Sequence, residues 1–141
     1  MRCDRSFGVI PLRREGDTWK VLLIKNRPGE HWDFPKGHPE SDETAHDTAE
    51  RELREETALE IIRFFDCDAI EERYQFNSDD GGVIDKTVML FLAEVSGDVS
   101  ICPTEVLDSC WLSLSDAVKR VTFPSGQRAC MEAVGLVSEI S

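Results

Sequence analysis

The segment ETAHDTAERELREET, residues 43–57, contains no Gly or Pro and is rich in Ala, Glu, Arg and Leu, so it predicts a helix. At about 100° per residue, three of its apolar side chains share one stripe that we expect to face the core: Ala45, Ala49 and Leu53. Three glutamates, Glu52, Glu55 and Glu56, follow the spacing i, i+3, i+4 on an arc that borders this stripe. The pattern therefore brings carboxylates to the edge of the expected core.

Acidic residues are concentrated around this helix. Residues 40–60 hold nine acidic and two basic side chains, so they carry a net charge of -7 out of the chain's -12. A run of charge usually forms a solvated helix face, but a carboxylate beside a core is costly unless it is paired. Arg51 and Arg54 are expected to point largely elsewhere, with Arg51 pairing to Asp47 or Glu55 on the helix surface. A hard divalent cation, Mg²⁺ or Mn²⁺, takes oxygen ligands and would satisfy the three glutamates; such a cation usually serves phosphate chemistry.

Length and composition limit the classes of function. A chain of 141 residues suits one domain over residues 1–141. Its acidic balance argues against nonspecific binding to nucleic acid or to an anionic membrane, although a bound cation still allows an anionic substrate. No apolar segment predicts a signal peptide or a membrane span, and the scattered cysteines indicate reduced thiols, so we expect a cytoplasmic protein. The cysteines are Cys3, Cys67, Cys102, Cys110 and Cys130.

Strands and helices alternate along the rest of the chain. Residues 7–13 and 19–25 predict an antiparallel hairpin, and residues 27–39, with three prolines and two glycines, predict a loop without any regular element. The nearly apolar residues 87–95 predict a central strand buried on both faces. Further strands are expected within residues 61–75 and at 111–112, and further helices at 115–121 and 126–140. This alternation predicts a mixed α/β sandwich.

A known motif contains these glutamates. Gly37, Glu43 and the run RELREETAL at residues 51–59 resemble the Nudix box, G-x5-E-x7-R-E-U-x-E-E-x-G-U, in which U is aliphatic. Every defining position matches except that Ala58 replaces the last Gly, which costs about 1 kcal/mol or shifts the helix cap. Ser41 and Asp42 also stand where the family usually has Pro-Gly. The resemblance implies the Nudix α/β/α sandwich with a mixed central sheet, with the box at residues 37–59, and hydrolysis of a nucleoside diphosphate linked to another group.

The same resemblance implies roles for the residues of the box. Glu52, Glu55 and Glu56 would bind Mg²⁺, or Mn²⁺, together with the carbonyl of Gly37. The carboxylates would be oriented by Arg51, through Glu43. Water activated by the cation would attack phosphorus, and Glu56 would accept its proton, with Glu52 or Glu105 as alternatives.

Flanking residues resemble those of asymmetric diadenosine tetraphosphate hydrolases, which implies ATP and AMP as products. The similar stretches are WDFPKGH at residues 32–38, KTV at 86–88 with LAEV at 92–95, and TE at 104–105 before WL at 111–112. The resemblance implies that Glu105 assists at the metal. It also suggests five substrate-binding residues, of which three would contact polyphosphate (Lys36, His38 and Lys86) and two would stack on adenine (Tyr74 and Phe123). Each of the five has an alternative as an ordinary surface or core residue.

Three alternatives remain open for the function. An RNA 5′-pyrophosphohydrolase shares the box and the WxxPKG stretch, although the chain lacks a basic stripe for a long RNA. A nucleoside triphosphate pyrophosphatase ranks next. A catalytically silent Nudix domain that senses a nucleotide is disfavoured because all three helix glutamates are present.

Overall fold

A long hairpin opens the computed structural model, which describes residues 1–140. Strands β1 (Arg2–Glu15) and β2 (Thr18–Asn26) are antiparallel, and Gly16 adopts the positive φ of 62° in the turn between them. The predicted hairpin is confirmed, and both strands extend beyond their predicted ranges.

One mixed sheet contains all the strands of the described chain. The remaining strands are β3 (Trp32–Asp33), β4 (Lys36–Gly37), β5 (Glu60–Phe64), β6 (Ile70–Asn77), β7 (Val83–Ser96) and β8 (Val106–Ser113). The order across the sheet is β3-β2-β1-β7-β5, with β4 paired to β1, β6 to β7 and β8 to β2. Strands β1 and β7 run parallel, whereas the other pairs are antiparallel.

Helices cover both faces of this sheet. They are α1 (Ala45–Thr57), α2 (Leu114–Arg120) and α3 (Pro124–Ile140). Because side chains alternate along a strand, Leu22 of β2 joins the apolar cluster that contains Leu53 of α1, whereas Leu23 joins the cluster that contains Ala117 of α2 and Ala133 of α3. The predicted α/β/α sandwich with a mixed central sheet is confirmed.

Both ends of α1 are capped by local hydrogen bonds. The helix begins two residues later than predicted because Thr44 is its N-cap: the Thr44 hydroxyl accepts from the Asp47 N–H, and the Asp47 carboxylate accepts from the Thr44 N–H. At the other end Ala58 adopts a left-handed conformation, φ 67°, and donates its N–H to the Arg54 carbonyl at 2.9 Å. The cap is therefore retained with an alanine in the position that favours glycine.

The structure corrects the prediction that residues 27–39 contain no regular element. They form a single 3₁₀ turn, Pro28–Glu30, and the short strands β3 and β4. Strand β4 lies against β1 because Gly8 has no side chain: a Cβ there would overlap the Pro35 carbonyl and Lys36. The Val9 N–H also donates to the Pro35 carbonyl at 3.1 Å. This close approach fixes Lys36 and Gly37 beside the sheet.

The second half of the chain differs from prediction in two strands. Strand β7 is central, as predicted, because it pairs with β1, β5 and β6. Its buried residues mostly alternate with half-buried ones, so the predicted full burial of both faces is wrong. Its half-buried Phe91 stacks on His46 of α1 at a ring-centroid distance of 4.1 Å. Strand β8 is longer than the predicted residues 111–112, since it pairs with β2 along most of its length. Helices α2 and α3 begin within two residues of their predicted starts.

Two further properties of residues 1–140 bear on the expected environment. None of the helices described there is both long enough and apolar enough to cross a membrane. All five cysteines are free; Cys130 is buried, and burial raises the pKa of its thiol to about 11, whereas Cys3 is exposed.

Candidate active site

Arg51, in the middle of the acidic helix α1, is the centre of a network of ion pairs. Its Nε and Nη2 donate to the two Glu43 carboxylate oxygens at 2.7 and 3.0 Å, and its Nη1 donates to Glu52 at 3.0 Å and to Glu55 at 3.1 Å. Its Nη2 also donates to the His38 carbonyl at 2.9 Å. The expected pairing of Arg51 with Glu55 is confirmed. The expectation that Arg51 otherwise points largely away from the glutamates is wrong, because Glu43 reaches back from the preceding loop and draws the guanidinium across the helix.

Glu43 is the strongest partner in this network. Hydrogen bonds from Arg51 and then from the Glu40 N–H lower the pKa of Glu43 to about 2. Thr48 donates a further hydrogen bond to the same carboxylate at 3.1 Å. Glu43 is thus held ionised, and it fixes the arginine that contacts Glu52 and Glu55.

Gly37 and Glu52 fit against each other. Gly37 pairs with Phe7 of β1, and a Cβ added to Gly37 would overlap the carboxyl group of Glu52. Only glycine therefore leaves room for this carboxylate, whose side chain is 15% exposed. The arrangement keeps the Glu52 oxygens beside the backbone of Gly37.

Glu56 is a buried carboxyl group that lacks a complete set of partners. It is 5% exposed, and its Oε2 has no hydrogen-bond partner. Burial, followed by the neighbouring Glu52, raises the pKa of Glu56 to about 10. A divalent cation beside Glu56 would reverse this penalty, so the donor chemistry fits such an ion.

The carboxylates are not gathered into a finished metal site. Among the described residues, no group of three or more His, Cys, Asp or Glu side chains is positioned to hold a metal ion. Glu55, with 51% of its side chain exposed, and Glu52 instead pair with Arg51. The Arg51 guanidinium thus supplies to Glu52 and Glu55 the positive charge that a bound cation would otherwise supply.

A cavity of about 390 Å³, which we call the carboxylate cavity, opens beside these groups. Its walls include Lys36, Gly37, His38, Glu40, Arg51, Glu52, Glu56, Thr104 and Glu105. Glu105 is held at this wall because its carbonyl accepts from the Arg27 N–H at 2.9 Å, while Arg27 Nε donates to the Pro103 carbonyl at 2.8 Å. Asn26, Pro28 and Thr104 also line this cavity, although no role at the site was predicted for them.

Lys36 projects toward the carboxylate cavity from β4. Its Nζ lies 2.7 Å from Asp33 Oδ2. Burial alone would lower the pKa of Lys36, but the Asp33 carboxylate outweighs that effect and raises it above the usual lysine value. Lys36 is therefore a permanent cation in the wall of the cavity.

A second cavity, of about 550 Å³, lies on the other side of the Asp33–Lys36 pair; we call it the aromatic cavity. It is lined by His31, Asp33, Glu72, Tyr74, Gln75, Phe76, Phe123, Pro124, Ser125 and Arg128. Phe123 is 51% exposed, and its ring lies 5.1 Å from that of His31. The two aromatic residues predicted to stack on a base, Tyr74 and Phe123, therefore share one cavity, which none of the helix α1 glutamates lines.

Lys86 occupies a different environment from Lys36. Its side chain is buried, and its Nζ donates to Asp4 Oδ2 at 2.7 Å and to Ser6 Oγ at 2.6 Å. It also lies 3.3 Å from Nε2 of His38, a ring that contacts Asp4 at 2.9 Å. Lys86 lines neither cavity, whereas His38 lines the carboxylate cavity. Lys86 and His38, both predicted to bind phosphate, are therefore in contact with each other, but only His38 lines the carboxylate cavity.

Two buried acids in the aromatic cavity, Asp33 and Glu72, were missed from the sequence. Asp33 lies in a segment predicted to be a loop. A signal for Glu72 did exist: Ile70, Glu72 and Tyr74 alternate along one face of β6, and Glu72 is the acid at an inward position.

Comparison with known proteins agrees with this geometry. The model of the NUDIX domain matches residues 4–134. The dihydroneopterin triphosphate diphosphatase of Haemophilus influenzae is 33% identical over 131 residues, which cover 84% of this chain and 81% of that protein. The asymmetrical bis(5′-nucleosyl)-tetraphosphatase of Rattus norvegicus is 30% identical over 128 residues, which cover 84% of this chain and 85% of that protein.

Solved structures share the fold at lower identity. An Ap4A hydrolase of C. elegans in a binary complex has a TM-score of 0.76 at 20% identity, with 96% of this chain and 98% of that chain covered. The domain of Shewanella oneidensis NrtR that was crystallised with ADP ribose has a TM-score of 0.76 at 18% identity, with 97% and 90% covered.

Proposed function

This chain belongs to the Nudix hydrolase family, and we propose that it hydrolyses dinucleoside polyphosphates, converting diadenosine tetraphosphate to ATP and AMP. The observation that carries the proposal is the wall between the two cavities. Lys36 faces the carboxylate cavity, and its partner Asp33 faces the aromatic cavity. A nucleotide with its base against Tyr74 and Phe123 would therefore have its phosphates beside Lys36 and the acidic helix.

The proposed cation is Mg²⁺, or Mn²⁺, and its proposed ligands are the Gly37 carbonyl, Glu52, Glu55, Glu56 and Glu105. When bound, such a cation neutralises phosphate charge and makes a bound water more acidic. The unpartnered oxygen of Glu56 and the close fit of Glu52 on Gly37 support this ligand set. Arg51, anchored by Glu43, would keep Glu52 and Glu55 in reach.

Each remaining residue of the site has a task that its contacts support. Glu56 would accept the proton of the attacking water, because a bound cation would hold its carboxyl group ionised and its Oε2 has no hydrogen-bond partner. Lys36 and His38 would contact phosphate oxygens, since both line the carboxylate cavity. We assign Lys86 to holding Asp4 and His38, because its ammonium group already donates to Asp4 and Ser6.

A second candidate substrate is dihydroneopterin triphosphate. It is favoured by the relative from Haemophilus influenzae and by the two buried acids of the aromatic cavity, which can accept from the N–H groups of a pterin ring. Both candidate substrates require cleavage of a phosphate anhydride. They differ in the base and in the number of phosphates.

Product analysis tests the proposal. The purified protein is incubated with diadenosine tetraphosphate, dihydroneopterin triphosphate, dGTP or triphosphorylated RNA, each with 5 mM Mg²⁺ or with EDTA. We expect ATP and AMP from diadenosine tetraphosphate, only with the cation. Two molecules of ADP, or no cleavage of this substrate, would refute the assignment.

A variant pair tests the role of Glu56. Glu56→Gln should lower kcat by several orders of magnitude while circular dichroism stays unchanged. Glu50→Gln, on the same helix with its side chain 43% exposed, is the matched control and should retain activity. Turnover by Glu56→Gln close to that of the unmodified chain would remove Glu56 from the role of base.

A further inference from the structure

Glu72, which lines the aromatic cavity, has one buried carboxylate oxygen without a hydrogen-bond partner. The residue is 3% exposed, and its Oε2 accepts from Ser125 Oγ at 2.8 Å. Its Oε1 has no hydrogen-bond partner, although the side chain lines the cavity. An ionised carboxylate can only accept hydrogen bonds, so this buried oxygen lacks a donor.

Asp33 adds a second buried acceptor beside Glu72. It is 4% exposed, and its two oxygens accept from the Phe34 N–H at 2.8 Å and from Lys36 Nζ at 2.7 Å. Asp33 Oδ1 and Glu72 Oε2 both lie 3.6 Å from the position that a Cβ on Gly126 would take, so the two carboxylates converge on one spot. Each carboxylate oxygen has two lone pairs, so each can accept at least one more hydrogen bond than it does here.

A ligand that donates hydrogen bonds would stabilise the ionised form of Glu72. Burial, followed by the nearby Asp33 carboxylate, raises the pKa of Glu72. Hydrogen bonds donated to the ionised form would offset this effect. Two neighbouring groups already donate to these acids: Ser125 donates to Glu72, and Lys36, from the other cavity, donates to Asp33. Arg128, an exposed residue, also lines the aromatic cavity.

The chemistry of bases then distinguishes possible occupants. A 2-amino-4-oxo ring, as in guanine or a pterin, carries a ring N–H and an amino group side by side, which together match a carboxylate. Adenine carries one amino group flanked by ring nitrogens that accept, and an acceptor placed against a carboxylate oxygen is repelled.

We propose that Glu72, assisted by Asp33, is the residue by which the aromatic cavity selects a base with adjacent N–H donors, of the guanine or pterin type, over adenine. Tyr74 and Phe123 would supply stacking, which does not distinguish between bases, and Glu72 would supply the discrimination. This inference rests on the proposed function only for the bond that is cleaved. For the base it goes further, because it predicts that diadenosine tetraphosphate is cleaved less efficiently than the corresponding diguanosine compound.

The test measures the preference between bases in three proteins. The kcat/KM is determined with Mg²⁺ for diguanosine and diadenosine tetraphosphate, for dGTP and dATP, and for dihydroneopterin triphosphate. In the unmodified chain, kcat/KM should be about 10- to 100-fold higher for guanine than for adenine substrates. This ratio corresponds to the free energy of a hydrogen bond to a charged group. Glu72→Gln should reduce this ratio at least tenfold, because the amide can present a donor to adenine. Glu71→Gln, the exposed neighbour on the opposite face of β6, should leave it unchanged.

Binding without turnover separates this inference from the proposed reaction. Calorimetry with GMP and AMP in EDTA should show tighter binding of GMP, lost in Glu72→Gln, even if no substrate is cleaved. Cleavage or binding that does not favour guanine in the unmodified chain would overturn the inference, as would a folded Glu72→Gln protein with an unchanged ratio. The measurement on the unmodified chain is decisive even where a variant fails to fold. Comparison of dGTP with dihydroneopterin triphosphate shows whether the cavity prefers guanine or a pterin, which share the same pair of N–H donors.

Discussion

Replacing Ala58 by glycine should stabilise the protein. Ala58 ends α1 with a φ of 67°, and its side chain is exposed. An L-residue in the left-handed region costs about 1–2 kcal/mol, which glycine avoids. Glycine in turn loses about 0.4–1 kcal/mol through the greater freedom of the unfolded chain. Because an exposed methyl group contributes little burial, the net gain in the free energy of unfolding should be about 0.5–1 kcal/mol.

The gain can be measured by thermal and urea unfolding in EDTA, so that cation binding does not contribute. For a chain of 141 residues, about 0.5–1 kcal/mol corresponds to a rise in Tm of about 2–3 °C. Ala58→Val is the opposite control: a β-branched side chain at this φ should lower stability by about 1 kcal/mol or more. A lower Tm for Ala58→Gly, or equal stability of the glycine and valine variants, would refute the account of this cap.

Three further predictions concern the site. Gly37→Ala should displace the Glu52 carboxyl group and raise the Mg²⁺ concentration needed for half-maximal activity at least tenfold, with a small change in Tm. A Mg²⁺ titration of activity measures this effect, and an unchanged titration would contradict the close fit of Gly37 and Glu52. Because the pKa of Glu43 is lowered to about 2 from 4.5, its contribution to stability is present above pH 4.5 and is lost as the pH falls toward 2. Glu43→Gln should therefore flatten the loss of stability over that range, as followed by urea unfolding at each pH, and an unchanged slope would count against it. Finally, 5 mM Mg²⁺ without nucleotide should raise Tm; a Kd of one tenth of this concentration gives about 1.4 kcal/mol, or about 5 °C, and an unchanged Tm would argue against a cation site in the free protein.

Local patterns predicted α1 and the burial of its glutamates. Helical spacing alone places Glu52 and Glu56 beside the stripe of Leu53, and the structure leaves Glu56 5% exposed and Glu55 half exposed. The direction of Arg51 was not predictable in this way. It depends on Glu43, which precedes the helix and reaches the guanidinium only after the loop has folded back.

Contacts between distant segments account for what the sequence reasoning missed. Asp33 and Glu72 meet only because β3, β6 and the start of α3 converge, and no short window of sequence contains all three. Strand β4 depends equally on Gly8 of β1, which lies far from it along the chain. Alternation along β6 nonetheless marks Glu72, since an acid at an inward position of a strand requires a partner.

The ion pair between Asp33 and Lys36 implies that the two cavities are thermodynamically linked. A donor that binds Asp33 weakens its hold on Lys36, and a phosphate that binds Lys36 leaves the Asp33 carboxylate less neutralised and therefore a better acceptor for such a donor. By reciprocity, a base must change the affinity for phosphate by the same factor as phosphate changes the affinity for the base. Substitutions at Glu72 and at His38 should therefore be non-additive in a double-mutant cycle on nucleotide binding, although these residues line separate cavities.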